Sequence, residues 1–339
     1  MSRQVNFGLW YDLRSPAAWP IEFERLYAES LDQIVWAEDL GFDSVWLTEH
    51  HFREDGYSPS PLIIAGAIAA RTKKIRVGTN LLLLPLYDPV RLAEDAAAVS
   101  LLAGGRFDLG VGGGFVEKEF KTFGRKLKNR PSILEEGIEI LRRAWTGKAV
   151  NFNGKRFKVD NVTISPSPQT TPRILLGGIT EPAIDRAARV ADGFLSSGNI
   201  GHEIYIASLE KAGKSPQEGR IYAGCWGIVT EDPEAEFEAI GPHLQYQMNE
   251  YIRMGADAFN STEETPLFET PRDAVDNGFY EFWTPDEAVT KILALLETYP
   301  QIVDLHFWAQ FPGESIESGS RRIELLATKV LPEVRSRLG

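Results

Sequence analysis

Short apolar runs alternate along the chain with stretches in which apolar residues recur every three to four positions. The runs at 5–10, 43–49, 75–84 and 106–112 predict strands. Between them, Tyr27, Leu31, Ile34 and Val35 mark a helical stripe that Gly41 closes, and 60–72 is rich in Ile and Ala. Asp88-Pro89 supplies an N-cap and a first-turn proline for the next helix, and Leu134, Ile138, Leu141 and Trp145 share one face after Pro131. The alternation continues with strands at 173–176, 193–197, 221–229 and 303–310. Their helices lie at 183–191, 204–212, after Thr284-Pro285, and at about 316–334. The third run is almost wholly apolar, as a strand covered on both faces must be. Eight strands, each followed by a helix, predict a (β/α)8 TIM barrel forming one domain over residues 1–339.

Two segments interrupt the pattern. Residues 150–159 read as a hairpin turning at Asn153-Gly154. Residues 241–282 are acidic, broken by Pro266 and Pro271, and studded with aromatics such as Tyr246, Tyr251, Phe259 and Phe268. This predicts an insertion after the seventh strand that serves as a lid or binding segment.

Composition narrows the function. With 43% hydrophobic and 25% charged residues the chain has the makeup of a soluble globular protein. No apolar run approaches the roughly 18 residues a membrane span needs. The start lacks a secretory-signal pattern, so a cytoplasmic protein is expected. A net charge of −12 argues against nucleic acid as a partner. The single cysteine, Cys225, excludes an intramolecular disulfide, and its apolar surroundings point to packing.

The stretch from Phe42 to His51, FDSVWLTEHH, carries an apolar strand straight into Glu49, His50 and His51. At the carboxyl end of a parallel strand these groups would face an active-site mouth. Adjacent strand residues point to opposite faces, so the two histidines do not share one metal ion and no metal site is expected. One of them reads either as a general acid/base or as a hydrogen-bonded core histidine. Gly177, Gly178, Ile179 and Thr180 end the fifth strand and open a helix, which is the outline of a phosphate cradle and also of an ordinary tight turn. Gly112 and Gly113 end the fourth strand without the spacing of a dinucleotide loop, and read as backbone cleared for a flat ligand. Asn80 interrupts the apolar third strand and is a ligand contact by the same logic, since a buried amide must find partners.

These residues resemble the bacterial luciferase-like flavin monooxygenases. The resemblance is densest in SVWLTEHHF, in KIRVGTNLLLLPLYDPVRLAEDAAAVSLLAGGRFDLGVGGG and in EKEFKTFG, and it resumes at PRILLGG and TPDEAV. It implies a barrel that binds reduced flavin mononucleotide (FMN), uses O2 as co-substrate on a small organic substrate, draws flavin from a separate reductase and pairs as a homodimer. His50 matches the family's catalytic acid/base and Glu49 the acidic residue beside it. Gly178, Ile179 and Thr180 match the loop that receives the flavin phosphate. The family's non-proline cis peptide would fall between Asn80 and Leu81, which adds Leu81 to the cofactor-binding set. Where the luciferase catalytic subunit has a reactive cysteine and a phosphate-binding arginine, this chain has Gly112 and Gly113, so light emission is not implied. Arg53 and Lys118 are the candidates for a replacement cation. A branch of the superfamily uses a deazaflavin coenzyme for hydride transfer, and another member type binds flavin without catalysis; EHHF favours the flavin branch.

Overall fold

The computed structural model describes residues 4–198, 200–255 and 265–339. Its strands, in chain order, are β1 (Asn6–Tyr11), β2 (Ser44–Leu47), β3 (Arg76–Thr79), β4 (Phe107–Val111), β5 (Val150–Asn153), β6 (Lys158–Val162), β7 (Arg173–Gly177), β8 (Gly193–Ser197), β9 (Ile221–Cys225), β10 (Gly227–Val229), β11 (Glu281–Trp283) and β12 (Ile302–Trp308). Eight of them close a parallel barrel in the order β1-β12-β9-β8-β7-β4-β3-β2. These are the eight predicted strands, and the fold is a (β/α)8 TIM barrel. The helices that bear on the site are α1 (Phe23–Asp39), α2 (Pro61–Arg71), α3 (Pro89–Leu102), α4 (Glu117–Thr122), α5 (Arg130–Ala144), α6 (Glu181–Val190), α7 (His202–Lys211) and α8 (Pro233–Arg253).

Alternating strand residues build two apolar layers. One lies between sheet and helices, where Phe7, Leu9, Val45 and Val77 meet Ile34, Ile68 and Leu92. The other fills the barrel, with Trp46, Tyr222, Leu175 and Leu195 below and Trp10 and Trp308 above. Each interior aromatic removes about 150–250 Å² from water, worth roughly 4–6 kcal/mol before entropy is charged.

Three predicted elements differ in detail. The third strand stops at Thr79, and a cis bond joins Asn80 to Leu81. The ladder resumes at once, with Leu82 bonded to Gly110 and Gly112 on the neighbouring strand. The seventh strand divides at Trp226: its second half, β10, leaves the barrel and pairs with β11. Gly227 is required there, since a Cβ would lie 2.0 Å from the Trp283 ring. The hairpin extends past Val159 to Val162. The segment 241–282 contains the second half of α8, which starts at Pro233 behind an Asp232 cap and holds Pro242 within it. Residues 256–264, Phe259 among them, lie outside the described residues. A helix α9 (Pro271–Asp276) then leads into β11, and α10 (Pro285–Thr298), α11 (Ile316–Leu325) and α12 (Leu331–Leu338) complete the chain.

Candidate active site

Where β2 ends, each of its polar residues takes a different partner. Glu49 is buried, and both of its oxygens are engaged: Oε2 accepts the Leu83 N–H at 2.5 Å, while Oε1 accepts the Tyr87 hydroxyl and lies 3.1 Å from His51 Nε2. Glu49 therefore ties β2 to the turn that follows Asn80-Leu81. His50 places Nδ1 3.0 Å from Oε1 of Glu119, and the same oxygen accepts the His51 backbone N–H at 2.8 Å. Glu119 sits on α4 with no exposed surface. A carboxylate accepting from Nδ1–H leaves Nε2 as the reactive nitrogen of His50. Tyr57 and Phe115 stand edge-on to the ring, at 4.8 and 5.3 Å. The two histidines thus hold separate carboxylates and face separate surroundings.

Leu81 explains two of the bare glycines. A Cβ on Gly112 would lie 2.4 Å from Leu81 Cδ1, and one on Gly177 would lie 2.4 Å from Leu81 Cδ2. The glycines seat a leucine side chain at the centre of the mouth, which is a different task from clearing backbone for a flat ligand. Beside it, the Trp10 ring stacks on Trp308 at 4.3 Å, and Trp10 Nε1 donates to the Asn80 carbonyl at 3.3 Å. Trp226 closes the group edge-on, 6.2 Å from Trp10 and 5.6 Å from Trp308. An apolar platform with aromatic walls results.

Where β7 ends beside β4, Gly178 leads through Ile179 to Thr180, the N-cap of α6. The Thr180 side chain makes no capping bond, and a Cβ on Gly178 would lie 2.5 Å from that of Ala183, so only glycine fits. Arg130 at the start of α5 lies against Gly113, 3.6 Å from where its Cβ would be. Burial, reinforced by the charge of Arg186 on α6, holds the Arg130 guanidinium below its ordinary pKa. Arg186 is itself paired with Glu135 at 2.8 Å, so Arg130 is the cation set beside Gly113, and a guanidinium there is a donor of the kind that suits a phosphate. Neither earlier candidate cation is drawn here by a contact: Arg53 pairs with Glu250 on α8, and Lys118 is an exposed residue of α4.

Over the ends of β1 and β2 lies α8. Arg14 is buried between Asp55 at 2.7 Å and Asp12 at 3.7 Å. From α8, Tyr246 donates to Asp55 at 3.0 Å, Gln247 donates to Asp12 at 3.4 Å, and the Tyr251 hydroxyl meets that of Tyr57 at 3.2 Å. Burial raises the Asp12 carboxyl to about 7, with Arg14 opposing the rise and Asp55 adding to it. A cavity of about 590 Å³ adjoins the mouth across Trp226, lined by the ends of β8 and β9 at Ser197 and Gly224 and by Phe279 and Tyr299.

Reading the chain missed Glu119, Arg130 and α8. Glu119 lies inside the EKEFKTFG run, where a buried glutamate among lysines looks like one more surface charge.

The profile of the luciferase-like monooxygenases matches residues 13–299. The chain belongs to this family. A relative from Amycolatopsis mediterranei (strain U-32), F420-dependent glucose-6-phosphate dehydrogenase, is 33% identical to it over 329 residues, covering 90% of this chain and 94% of the relative. The alkanal monooxygenase alpha chain of Photorhabdus luminescens is 33% identical over 131 residues, 39% of this chain and 36% of the relative. The crystal structure of monooxygenase RslO1 from Streptomyces bottropensis shares 25% identity and superposes with a TM-score of 0.83, over 97% of this chain and 99% of that one. This luciferase-like protein is an oxidoreductase, and its relatives include both monooxygenases and F420-dependent dehydrogenases. No helix among the described residues is long and apolar enough to cross a membrane.

Proposed function

We propose that the protein is a monooxygenase that uses reduced FMN and O2 to oxidise a small organic substrate, with the flavin supplied by a separate reductase. The observation that carries this reading is the buried His50–Glu119 pair at the edge of an apolar, aromatic-walled mouth with α8 latched over one side. Bound there, FMN would supply the redox chemistry with O2. The chain's own residues would do the rest. Leu81 and the Trp10–Trp308 stack offer a flat apolar seat, while Gly178, Ile179 and Thr180 with Arg130 offer amides and a cation to the phosphate. His50 Nε2 holds or delivers a proton, and Glu119 keeps the ring in the tautomer that allows it. Glu49 braces this arrangement. Water exclusion falls to α8.

A second reading is deazaflavin-dependent hydride transfer, favoured by the 33% identity to the Amycolatopsis dehydrogenase over 90% of this chain. An apolar seat with a phosphate cradle suits either cofactor. Oxygen uptake and product formation with chemically reduced FMN, over a panel of aldehydes and ketones, support the first reading. Anaerobic turnover with the deazaflavin coenzyme and no oxygen uptake supports the second. We also propose a homodimer, for which Ile63 on α2 and Leu102 on α3 expose apolar surface. Sedimentation as a monomer at micromolar concentration would refute it.

A further inference from the structure

Beneath the mouth runs a buried chain of polar groups that lies outside the proposed chemistry. Trp46 Nε1 lies 3.0 Å from Asp304 Oδ1 and 3.1 Å from Ser44 Oγ, and Ser44 Oγ lies 2.6 Å from Asp304 Oδ2. His306 Nδ1 lies 3.0 Å from Asp304 Oδ1, and His306 Nε2 lies 2.9 Å from Asn80 Nδ2. Asp304 and His306 have essentially no exposed surface. The seat is built for this chain: a Cβ on Gly8 would lie 2.1 Å from Ser44 Oγ, and one on Gly78 would lie 2.3 Å from the Trp46 ring.

The direction of each bond follows from its donors. An indole N–H only donates, so Asp304 Oδ1 and Ser44 Oγ both accept from Trp46. The serine proton then goes to Asp304 Oδ2. With both carboxylate oxygens accepting, His306 Nδ1 is the donor to Asp304, and in the neutral ring Nε2 must accept. Only the amide nitrogen of Asn80 can supply that proton. Its carbonyl Oδ1 is consequently turned the other way, and among the described residues no bond to that oxygen is found.

We propose that Asp304 and His306 are positioning residues that fix the Asn80 amide so that Oδ1 is presented to the mouth as an acceptor for a ring N–H of the bound cofactor. This rests on the functional reading above only in taking the ligand to be a flavin or deazaflavin, both of which carry such an N–H. Asn80 adjoins Leu81, so the acceptor sits at the rim of the apolar seat. A single acceptor at a fixed point sets the in-plane orientation of a flat ring that apolar contacts alone leave free to rotate.

Two measurements test this. Long-range 15N–1H correlation on the ligand-free protein reads the tautomer directly, with the His306 signals assigned by their loss in His306→Gln. The expected result is a proton on Nδ1 and a bare Nε2; a proton on Nε2 alone overturns the proposal. Titration with FMN and with the deazaflavin coenzyme reads the consequence. His306→Phe keeps the ring packed against Trp10 and Trp46 but offers no acceptor, and should weaken binding about tenfold, the scale of one lost hydrogen bond. His306→Gln, whose carbonyl reaches the Nε2 position and can still accept from Asn80, should stay within about threefold of wild type. A His306→Phe protein with a cooperative melt and unchanged affinity for the cofactor that wild type binds overturns the inference alone. Wild type binding neither cofactor overturns the functional reading as well, and the tautomer still decides whether the Asn80 amide is set as described.

Discussion

Two buried carboxylates at opposite ends of the barrel, Asp108 and Glu119, are used in opposite ways. At the lower end, Asp108 on β4 receives both Arg76 and Arg173 as forks, four bonds of 2.6–3.0 Å shared between its two oxygens. At the upper end, Glu119 uses one oxygen for both His50 and the His51 amide, while its Oε2 has no hydrogen-bond partner among the described residues. Trp226 Nε1 and Trp308 Nε1 are left the same way. A saturated cluster holds strands together and has nothing left to offer a ligand. An under-used one is costly to the fold unless something else occupies it, and that is where a reaction can be placed.

The contrast predicts that substitutions at the two ends separate stability from activity. Asp108→Asn strips the charge from between two arginines and should cost about 3–5 kcal/mol of stability by thermal or denaturant melting, with cofactor affinity per folded molecule unchanged. A loss of affinity in the folded fraction would break the comparison. His50→Ala should cut product formation about 10²-fold or more, with a melting temperature within a few degrees of wild type; retained turnover would remove His50 from the chemistry. Glu119→Gln keeps the shape and loses the carboxylate that sets the His50 ring, so kcat should fall about tenfold with KM little changed. A raised KM with kcat unchanged would mean that Glu119 serves binding alone.

The smallest expected effect concerns the latch. Burial lifts the Asp12 carboxyl to about 7 from an ordinary 3.8. The folded protein then holds a proton there that the unfolded chain has released, so the Asp12 contribution is full below about pH 4 and lost as pH rises through about 7. An asparagine side chain in its place has no proton to lose and stays neutral throughout. The melting temperature of the Asp12→Asn variant should therefore gain on wild type by a few degrees between pH 5 and pH 8, and a difference that narrows over that range would contradict the assignment.

Much of this architecture is legible in the chain because its signals are local. All eight barrel strands announce themselves as apolar runs between helical stripes, and EHH is read at the end of one of them. What escapes is set by tertiary contact. Glu119 is an α4 residue that becomes a histidine partner only when β2 and α4 meet. Gly112 looks like cleared backbone, and Gly177 like part of a cradle or turn, until Leu81 is seen between them. The helix α8 hides behind Pro242 and an acidic composition, and its latch to Asp12 and Asp55 joins residues about 190 to 235 positions apart. Asp304 and His306 sit in a strand recognised from sequence, but their link to Asn80 crosses the barrel interior.

The central claim is that the open carboxylate and its histidine at the upper end serve oxygen-dependent flavin chemistry. An oxygen electrode with chemically reduced FMN and a substrate panel, run on wild type and His50→Ala side by side, tests it most directly. The expected result is oxygen uptake coupled to an oxidised product in wild type and uncoupled uptake in the variant. Turnover only under anaerobic conditions with the deazaflavin coenzyme, and no oxidised product with FMN, would contradict it.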